Sequence, residues 1–166
     1  MNAFEFHCPT KIICGEGSLH KLPVKIADRG VTKPLIVTDA NLVKLGIAEQ
    51  VFAPLREADV NYSLYDHVPP DSSLNVVNEV ATLYKEEKCD GWIALGGGSV
   101  IDTAKGAAAS VSVGEKDFTD LQGSEILQDE LDPLIAIPTT AGTGSEVTLV
   151  AVVADTENHA KLSYTS

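Results

Sequence analysis

The sequence predicts an α/β fold, a parallel sheet flanked by helices with a β-hairpin near the C-terminus. Three observations carry the prediction. Short apolar runs without alternation, Pro34-Leu35-Ile36-Val37 and Trp92-Ile93-Ala94-Leu95, have the pattern of strands buried on both faces. Stretches with helical spacing separate these runs, and alternating strands and helices give a parallel sheet with right-handed crossovers. The third is the passage from Trp92–Leu95 into Gly96-Gly97-Gly98-Ser99 and then into an alanine-rich helical stretch. A glycine turn in that place gathers backbone N–H groups at a helix N-terminus, where peptide dipoles bind phosphate. Glycine is suited to it because a Cβ would hold phosphate oxygens off the backbone. A plain strand-to-helix turn is the other reading, but it has no need of three glycines.

Taken in order, Lys11-Ile12-Ile13-Cys14 predicts a short strand closed by Gly15-Glu16-Gly17. Ser18 then opens a short helical turn that ends near Pro23 or slightly later. The buried strand Pro34–Val37 runs out into Thr38 and Asp39. Val43, Ile47, Val51 and Leu55 recur at near-helical spacing, with Pro54 inside the pattern as a kink or a stop and restart. Val60–Tyr65 alternates as a strand does. Val68-Pro69-Pro70-Asp71-Ser72-Ser73 is a rigid loop with capping residues. A helix over Leu74–Lys88 presents Val77, Val80, Ala81 and Tyr84 on one face. Gly91–Leu95 is the strand that delivers the glycine turn, and a helix follows over Val100–Val111. Gly114–Leu131 is polar, with a short helix predicted near Asp117–Leu121. Pro133–Ile137 is another buried strand, ending in Pro138-Thr139-Thr140-Ala141-Gly142-Thr143-Gly144-Ser145-Glu146. Val147–Ala154 reads as a strand, Asp155–Asn158 as a turn, and Ala160–Tyr164 as its hairpin partner.

The 166 residues suit one domain, 1–166. With 24 acidic against 12 basic residues and a net charge of −12, the chain is a poor partner for nucleic acid or an anionic membrane. A bound phosphate must then be held by backbone dipoles and a few placed donors. Cys8, Cys14 and Cys89 have no C-x-x-C spacing and nothing resembles a secretory signal, which predicts reduced thiols in a cytoplasmic protein. No apolar run approaches the ~18 residues of a membrane span. His7, His20, His67 and His159 are scattered outside any H-x-x-x-H or H-E-x-x-H pattern. The residues therefore predict no metal site and no self-sufficient catalytic set.

In a parallel α/β sheet, ligands bind beyond the carboxyl ends of the strands. Asp39, Pro70, Gly96–Ser99 and Thr139–Thr143 all follow predicted strand ends and so share one edge. Asp39 reads as an acceptor for adenosine ribose hydroxyls that also repels a 2′-phosphate, or as a cap of the next helix. The threonine loop reads as ligand contact, or as turn chemistry. Ser99 caps the helix or binds the phosphate. Asp102 reads as a capping-box partner of Ser99 or as a cofactor contact. Lys161 is a phosphate partner or a solvated hairpin residue. The glycine turn departs from G-x-G-x-x-G, since Ile101 stands at the third glycine position, and no G-x-x-x-x-G-K-[ST] exists.

Gly96-Gly97-Gly98-Ser99-Val100-Ile101-Asp102 with Ala104-Lys105, followed by Ile137-Pro138-Thr139-Thr140-Ala141-Gly142-Thr143-Gly144-Ser145-Glu146-Val147-Thr148, resembles the iron-containing (group III) alcohol dehydrogenases. Pro9-Thr10-Lys11-Ile12-Ile13 with Gly15-Glu16-Gly17 is similar to that family's first strand. The resemblance covers essentially the whole chain and the N-terminal part of the family's length. It implies a Rossmann-like domain that binds NAD, with NADP as the alternative cofactor. In the complete enzyme an all-helical domain, expected to be absent here, supplies one Asp and three His to Fe²⁺ or Zn²⁺, so no metal ligand is carried over. It also implies that Asp39 faces the adenosine ribose, and that Pro70 and Asp71 lie near the adenine side. Gly97, Gly98 and Ser99 hold the pyrophosphate, and Thr139, Thr140 and Thr143 line the groove, with Val152 and Lys161 nearby. Val100 stands where the family commonly has Pro. The expected function is the NAD-binding domain of a metal-dependent alcohol dehydrogenase acting on a small alcohol or aldehyde, inactive in turnover by itself. The alternatives are an NADP-preferring relative of butanol dehydrogenase or maleylacetate reductase type, and a truncated non-catalytic fragment. Apolar surface left by the helical partner predicts self-association as a homo-oligomer.

Overall fold

Two of the runs expected to be buried, Pro34–Val37 and Trp92–Leu95, form the middle of the sheet, whereas the third, Pro133–Ile137, lies at its edge among the described residues and is only half-buried. The computed structural model describes residues 8, 10–114, 131–148, 150–155 and 160–165. Strand β1 (Pro34–Val37) lies between β2 (Ser63–Tyr65) and β3 (Gly91–Gly96), and β4 (Leu134–Pro138) follows β3. All these pairings are parallel, with Val37 level with Tyr65 and Ala94, and Gly96 level with Pro138. A separate antiparallel pair joins β5 (Val150–Asp155) to β6 (Ala160–Thr165), the expected hairpin.

Successive side chains of a strand point to opposite faces, so β1 and β3 feed two cores. On one face Leu35, Val37, Trp92 and Ala94 pack against α4 (Leu74–Glu86) and α5 (Gly98–Ser112) through Val77, Val80, Tyr84, Ile101 and Ala104. Tyr84 stacks on Trp92 with ring centroids 3.9 Å apart, and its hydroxyl donates to Asp132 over 2.6 Å. On the other face Ile36, Ile93 and Leu95 meet α1 (Leu22–Ala27), α2 (Ala40–Lys44) and α3 (Glu49–Glu57) through Ile26, Leu42, Val51 and Leu55. No residue of α5 is exposed, because β3, α4 and β5 all pack on it. Its alanines and Gly106 keep those neighbours close.

The structure changes several of the expected elements, among them the strand read from Val147, which begins at Val150 with Val147 in a turn. Lys11–Cys14 is irregular and not a strand, and Ile12 is 68% exposed. Two adjacent isoleucines gave it an apolar look, but no strand pairs with it among the described residues. The helix expected through Val43–Leu55 is two helices, broken at Gly46 rather than at Pro54. Gly46 adopts a left-handed φ of 74°, with its amide on Val43 O and that of Ile47 on Leu42 O, a complete Schellman closure. Pro54 sits inside α3, and Gln50, whose carbonyl loses a donor there, is exposed. The strand expected from Val60 begins only at Ser63. Helix α5 begins at Gly98, two residues earlier than the alanine pattern indicated. The short helix near Asp117–Leu121 and the turn after Asp155 lie outside the described residues.

The same closure ends α4, where Lys88 takes φ 53° with its amide on Lys85 O and that of Cys89 on Tyr84 O. A lysine held there bears the left-handed steric cost that glycine escapes. Lys88→Gly should raise stability by about 0.5–1 kcal/mol in urea unfolding, the steric relief exceeding the added unfolded-state entropy.

Candidate functional site

Strand order β2-β1-β3-β4 places a topological switch between β1 and β3, where connections leave in opposite directions and a crevice opens. The strand ends around it are bound together. Thr38 Oγ1, buried, donates to Leu95 O over 2.8 Å. The Thr38 amide bonds Tyr65 O, the Val68 amide bonds Thr38 O, and the Thr139 amide bonds Gly96 O. Asp39, Pro70, Gly97–Ser99 and Thr139–Thr143 therefore follow strands with a common, fixed edge, as expected.

At the glycine turn, Gly97 is the N-cap of α5, and no side chain caps the helix. The first backbone bond of the helix runs from the Ile101 amide to Gly97 O. The amides before it have no partner within the helix and are free for an anion. The three glycines have different tasks. A Cβ on Gly96 would lie 2.5 Å from Val100 Cγ2, so its bareness serves packing. A Cβ on Gly97 would lie 2.9 Å from Thr140 Oγ1, and one on Gly98 3.4 Å from Thr143 Cβ. Gly97 and Gly98 thus let the threonine loop close down on the turn. Thr139, Thr140 and Thr143 are exposed, and Gly142 and Gly144 hold left-handed φ of 88° and 73° on either side of Thr143.

Asp39 is the N-cap of α2, its Oδ1 accepting from the amides of Asn41 (2.9 Å) and Leu42 (3.0 Å). The capping reading of Asp39 is thus realised, and both bonds fall on one oxygen. Ser99 does not cap α5. Its hydroxyl donates to Pro70 O, which ties the exposed Pro70–Asp71 loop to the turn. Thr103 Oγ1 donates to Ser99 O over 2.7 Å and accepts from Ser72 Oγ. Ser72 O in turn accepts from the Ala154 amide over 2.9 Å. Asp102 is no capping-box partner either. Because the helix starts at Gly98, Asp102 is its fifth residue, beyond the third position that a box requires. Its carboxylate faces the hairpin, with Oδ2 accepting from the Val152 amide over 3.2 Å. Lys161 lies opposite Ala154 on β6.

Residues that sequence reasoning gave no role complete the arrangement: Thr38, Ser72, Thr103, Ser145 and Lys105. Thr38 follows an apolar strand, and Thr103 and Lys105 interrupt an alanine-rich helix, which was the available signal for those three. Lys105 Nζ donates to Thr148 O (2.6 Å) and Val150 O (3.1 Å). Burial pushes the Lys105 ammonium pKa down, against the nearby Asp102 and Glu146. Burial pushes the Asp102 carboxyl up, against the Val152 amide, Ser145 and Lys105. Asp102 Oδ1 is buried with no hydrogen bond among the described residues. Among those residues no three His, Cys, Asp or Glu are grouped to hold a metal, and no helix is long and apolar enough to cross a membrane.

The model of the family described as iron-containing alcohol dehydrogenase matches residues 9–166. The chain belongs to that family. The choline dehydrogenase of Bacillus subtilis is 41% identical over 160 residues, covering 95% of this chain and 40% of that protein. The NAD-dependent methanol dehydrogenase of Bacillus methanolicus is 35% identical, covering 95% and 41%. Among solved structures of the same fold, the NADH-dependent butanol dehydrogenase A of Thermotoga maritima superposes with TM-score 0.90 at 30% identity, over 100% of this chain and 42% of that one. The chain thus spans about two fifths of the iron-containing alcohol dehydrogenases it matches, and its sheet is their Rossmann-like N-terminal sheet.

The raised Asp102 pKa has a definite sign in folding. The folded chain holds that proton to higher pH than the unfolded one, whose carboxyl titrates near 3.8. The group favours folding fully below 3.8 and loses that contribution as pH rises through the raised value. Asp102→Asn keeps the shape and an acceptor without the charge. Its stability relative to wild type should therefore climb as pH rises from 3.8 toward neutrality, read by urea unfolding across a pH series.

Proposed function

We propose that this chain is the dinucleotide-binding part of an NAD-dependent alcohol dehydrogenase, which exchanges a hydride between an alcohol or aldehyde and the nicotinamide. The observation that carries the reading is the uncapped N-terminus of α5, open at the switch between β1 and β3 and roofed by three exposed threonines. In a chain of net charge −12, peptide dipoles are the means of holding a diphosphate. The NAD dependence of the methanol dehydrogenase relative and the NADH dependence of the butanol dehydrogenase support the choice of cofactor.

The residues present fit that cofactor. The amides of Gly98, Ser99 and Val100 take the diphosphate, and the bare Gly97 and Gly98 let Thr140 and Thr143 close over it. Asp39 spends Oδ1 on its helix and offers Oδ2 to the adenosine ribose hydroxyls, where its charge disfavours a 2′-phosphate. The exposed hydroxyls of Thr139, Thr140 and Thr143 give donors and acceptors along the groove. Pro70 and Asp71 border it, pinned through Ser99, Val152 extends the wall on the hairpin, and Lys161, opposite Ala154 in the register of β6, is a further proposed contact. The nicotinamide supplies hydride chemistry when bound. The described residues do not form a metal centre, so the iron of the family's name and the alcohol's activation belong to residues other than these.

Calorimetric titration of the purified chain with NAD and NADP tests the proposal. NAD should bind, and more tightly than NADP. Asp39→Gly should narrow the preference by about ten-fold, as expected when one charge–charge repulsion is removed. Absence of a heat or a melting shift with both dinucleotides would overturn the assignment.

A further inference from the structure

Strand β4 has no neighbour on its outer side among the described residues. Leu134–Ile137 is apolar and half-buried, whereas β3 beside it is buried throughout. Neither a charge nor a proline interrupts that stretch, although both are common guards of an exposed edge; Pro133 and Pro138 only bound it. A cavity of about 980 Å³ follows the edge, with Leu19 and Leu22 on the α1 face and Ala108 and Ala109 on the α5 face along its walls.

The hydrogen bonds to β3 assign the peptide groups of this edge. The Trp92 amide bonds Pro133 O and the Thr139 amide bonds Gly96 O, so Pro133, Ile135, Ile137 and Thr139 turn their peptide groups toward β3. Leu134, Ala136 and Pro138 therefore turn theirs outward. Leu134 and Ala136 each present an amide and a carbonyl, and Pro138 presents a carbonyl alone. That set is complementary to itself. In an antiparallel pairing about a two-fold axis at Ala136, the two Ala136 residues exchange both their bonds, and each Leu134 amide meets Pro138 O of the other copy. The missing proline amide falls at the end of the ladder, where only Leu134 O goes without a partner.

Charge selects the same pairing. A net charge of −12 sets copies of this chain against one another over most of their surface. Around the β4 cavity the described charges divide by end. Toward the N-terminal end of the strand, where α1 turns back into β1, Lys11, Lys25 and Arg29 gather about Asp28, with Asp132 just before β4. Lys25 Nζ lies 2.5 Å from Asp28 Oδ2, and Lys11 and Arg29 add to the pull of Lys25 that lowers the Asp28 pKa. Toward the C-terminal end stand Glu16, ahead of the turn that opens at Ser18, and Glu146, in the loop after β4, against Lys105. Cations outnumber acids at one end and acids outnumber cations at the other. An antiparallel pairing sets each cationic end on the partner's acidic end, whereas a parallel one sets like on like.

We propose that the edge of β4 is a homodimer surface, on which a second copy of this chain adds its own β4 antiparallel and continues the sheet from one copy into the other. The surface does not depend on the dinucleotide reading.

Sedimentation velocity of the full 166-residue chain, with amide exchange read residue by residue, tests it. The chain should pass reversibly from monomer to dimer as concentration rises and go no further, because a two-fold contact uses up both edges. In the dimer the Leu134 and Ala136 amides should exchange slowly and speed up on dilution, while those of Ile135 and Ile137, which face β3, stay slow throughout. Ala136→Pro deletes an outward amide and no bond to β3. It should weaken the dimer by at least about ten-fold, since symmetry removes one hydrogen bond from each copy, and leave Trp92 emission unchanged. If that variant does not fold, the wild-type exchange pattern decides. A monomer at every concentration with fast exchange at Leu134 and Ala136 would overturn the proposal, as would a dimer that Ala136→Pro leaves intact. A monomer whose Leu134 and Ala136 amides are slow at every concentration would mean an edge covered from within the chain, and would overturn it equally. Assemblies larger than a dimer would overturn the two-fold pairing.

Discussion

Helix α5 packs against β3, α4 and β5 with no residue exposed, and that enclosure governs the site. A helix so enclosed accepts only small side chains wherever its neighbours approach closely, hence Ala104, Gly106, Ala107, Ala108 and Ala109, all buried. Close packing in turn fixes where its first turn lies. The helix N-terminus cannot drift from the ends of β1 and β3, and its free amides are presented in one place. A cradle of backbone dipoles works only if it is already in position, because the chain has little basic charge with which to compensate for movement.

The same enclosure explains the ionisable groups along the helix. Asp102 and Lys105 are displaced in opposite directions from their ordinary titration, in both cases chiefly by desolvation. Asp102 accepts from the Val152 amide of β5, and Lys105 donates to the carbonyls of Thr148 and Val150. The polar chain Pro70, Ser99, Thr103, Ser72 and Ala154 performs the neutral version of this task on the neighbouring loop. Loop, helix and hairpin are thus joined by short polar contacts at the open end of the sheet, while the apolar cores lie beneath.

Much of this was legible in the residues, and for a physical reason. β1 and β3 are buried on both faces, so their side chains carry the signal without ambiguity. The glycine turn was legible because few other arrangements need such a sequence. The misread positions are those where local pattern and tertiary context disagree. Ile12 and Ile13 look like strand residues but have no partner strand among the described residues. Gly46 ends a helix through its left-handed φ, which hydrophobic spacing does not register. Ser99 and Asp102 have the residue types of a capping box, but the helix begins at Gly98 and places both beyond its reach. Their actual partners, Pro70 and Val152, lie 29 and 50 residues away in the chain and leave no local trace.

The Tyr84–Trp92 stack has an optical consequence. Trp92 is the only tryptophan in the chain, is 1% exposed, and lies face to face with a phenol at 3.9 Å. Near-ultraviolet emission excited selectively in the indole therefore comes from one dry point between β3 and α4, so its spectrum reads the integrity of that core without contribution from other indoles.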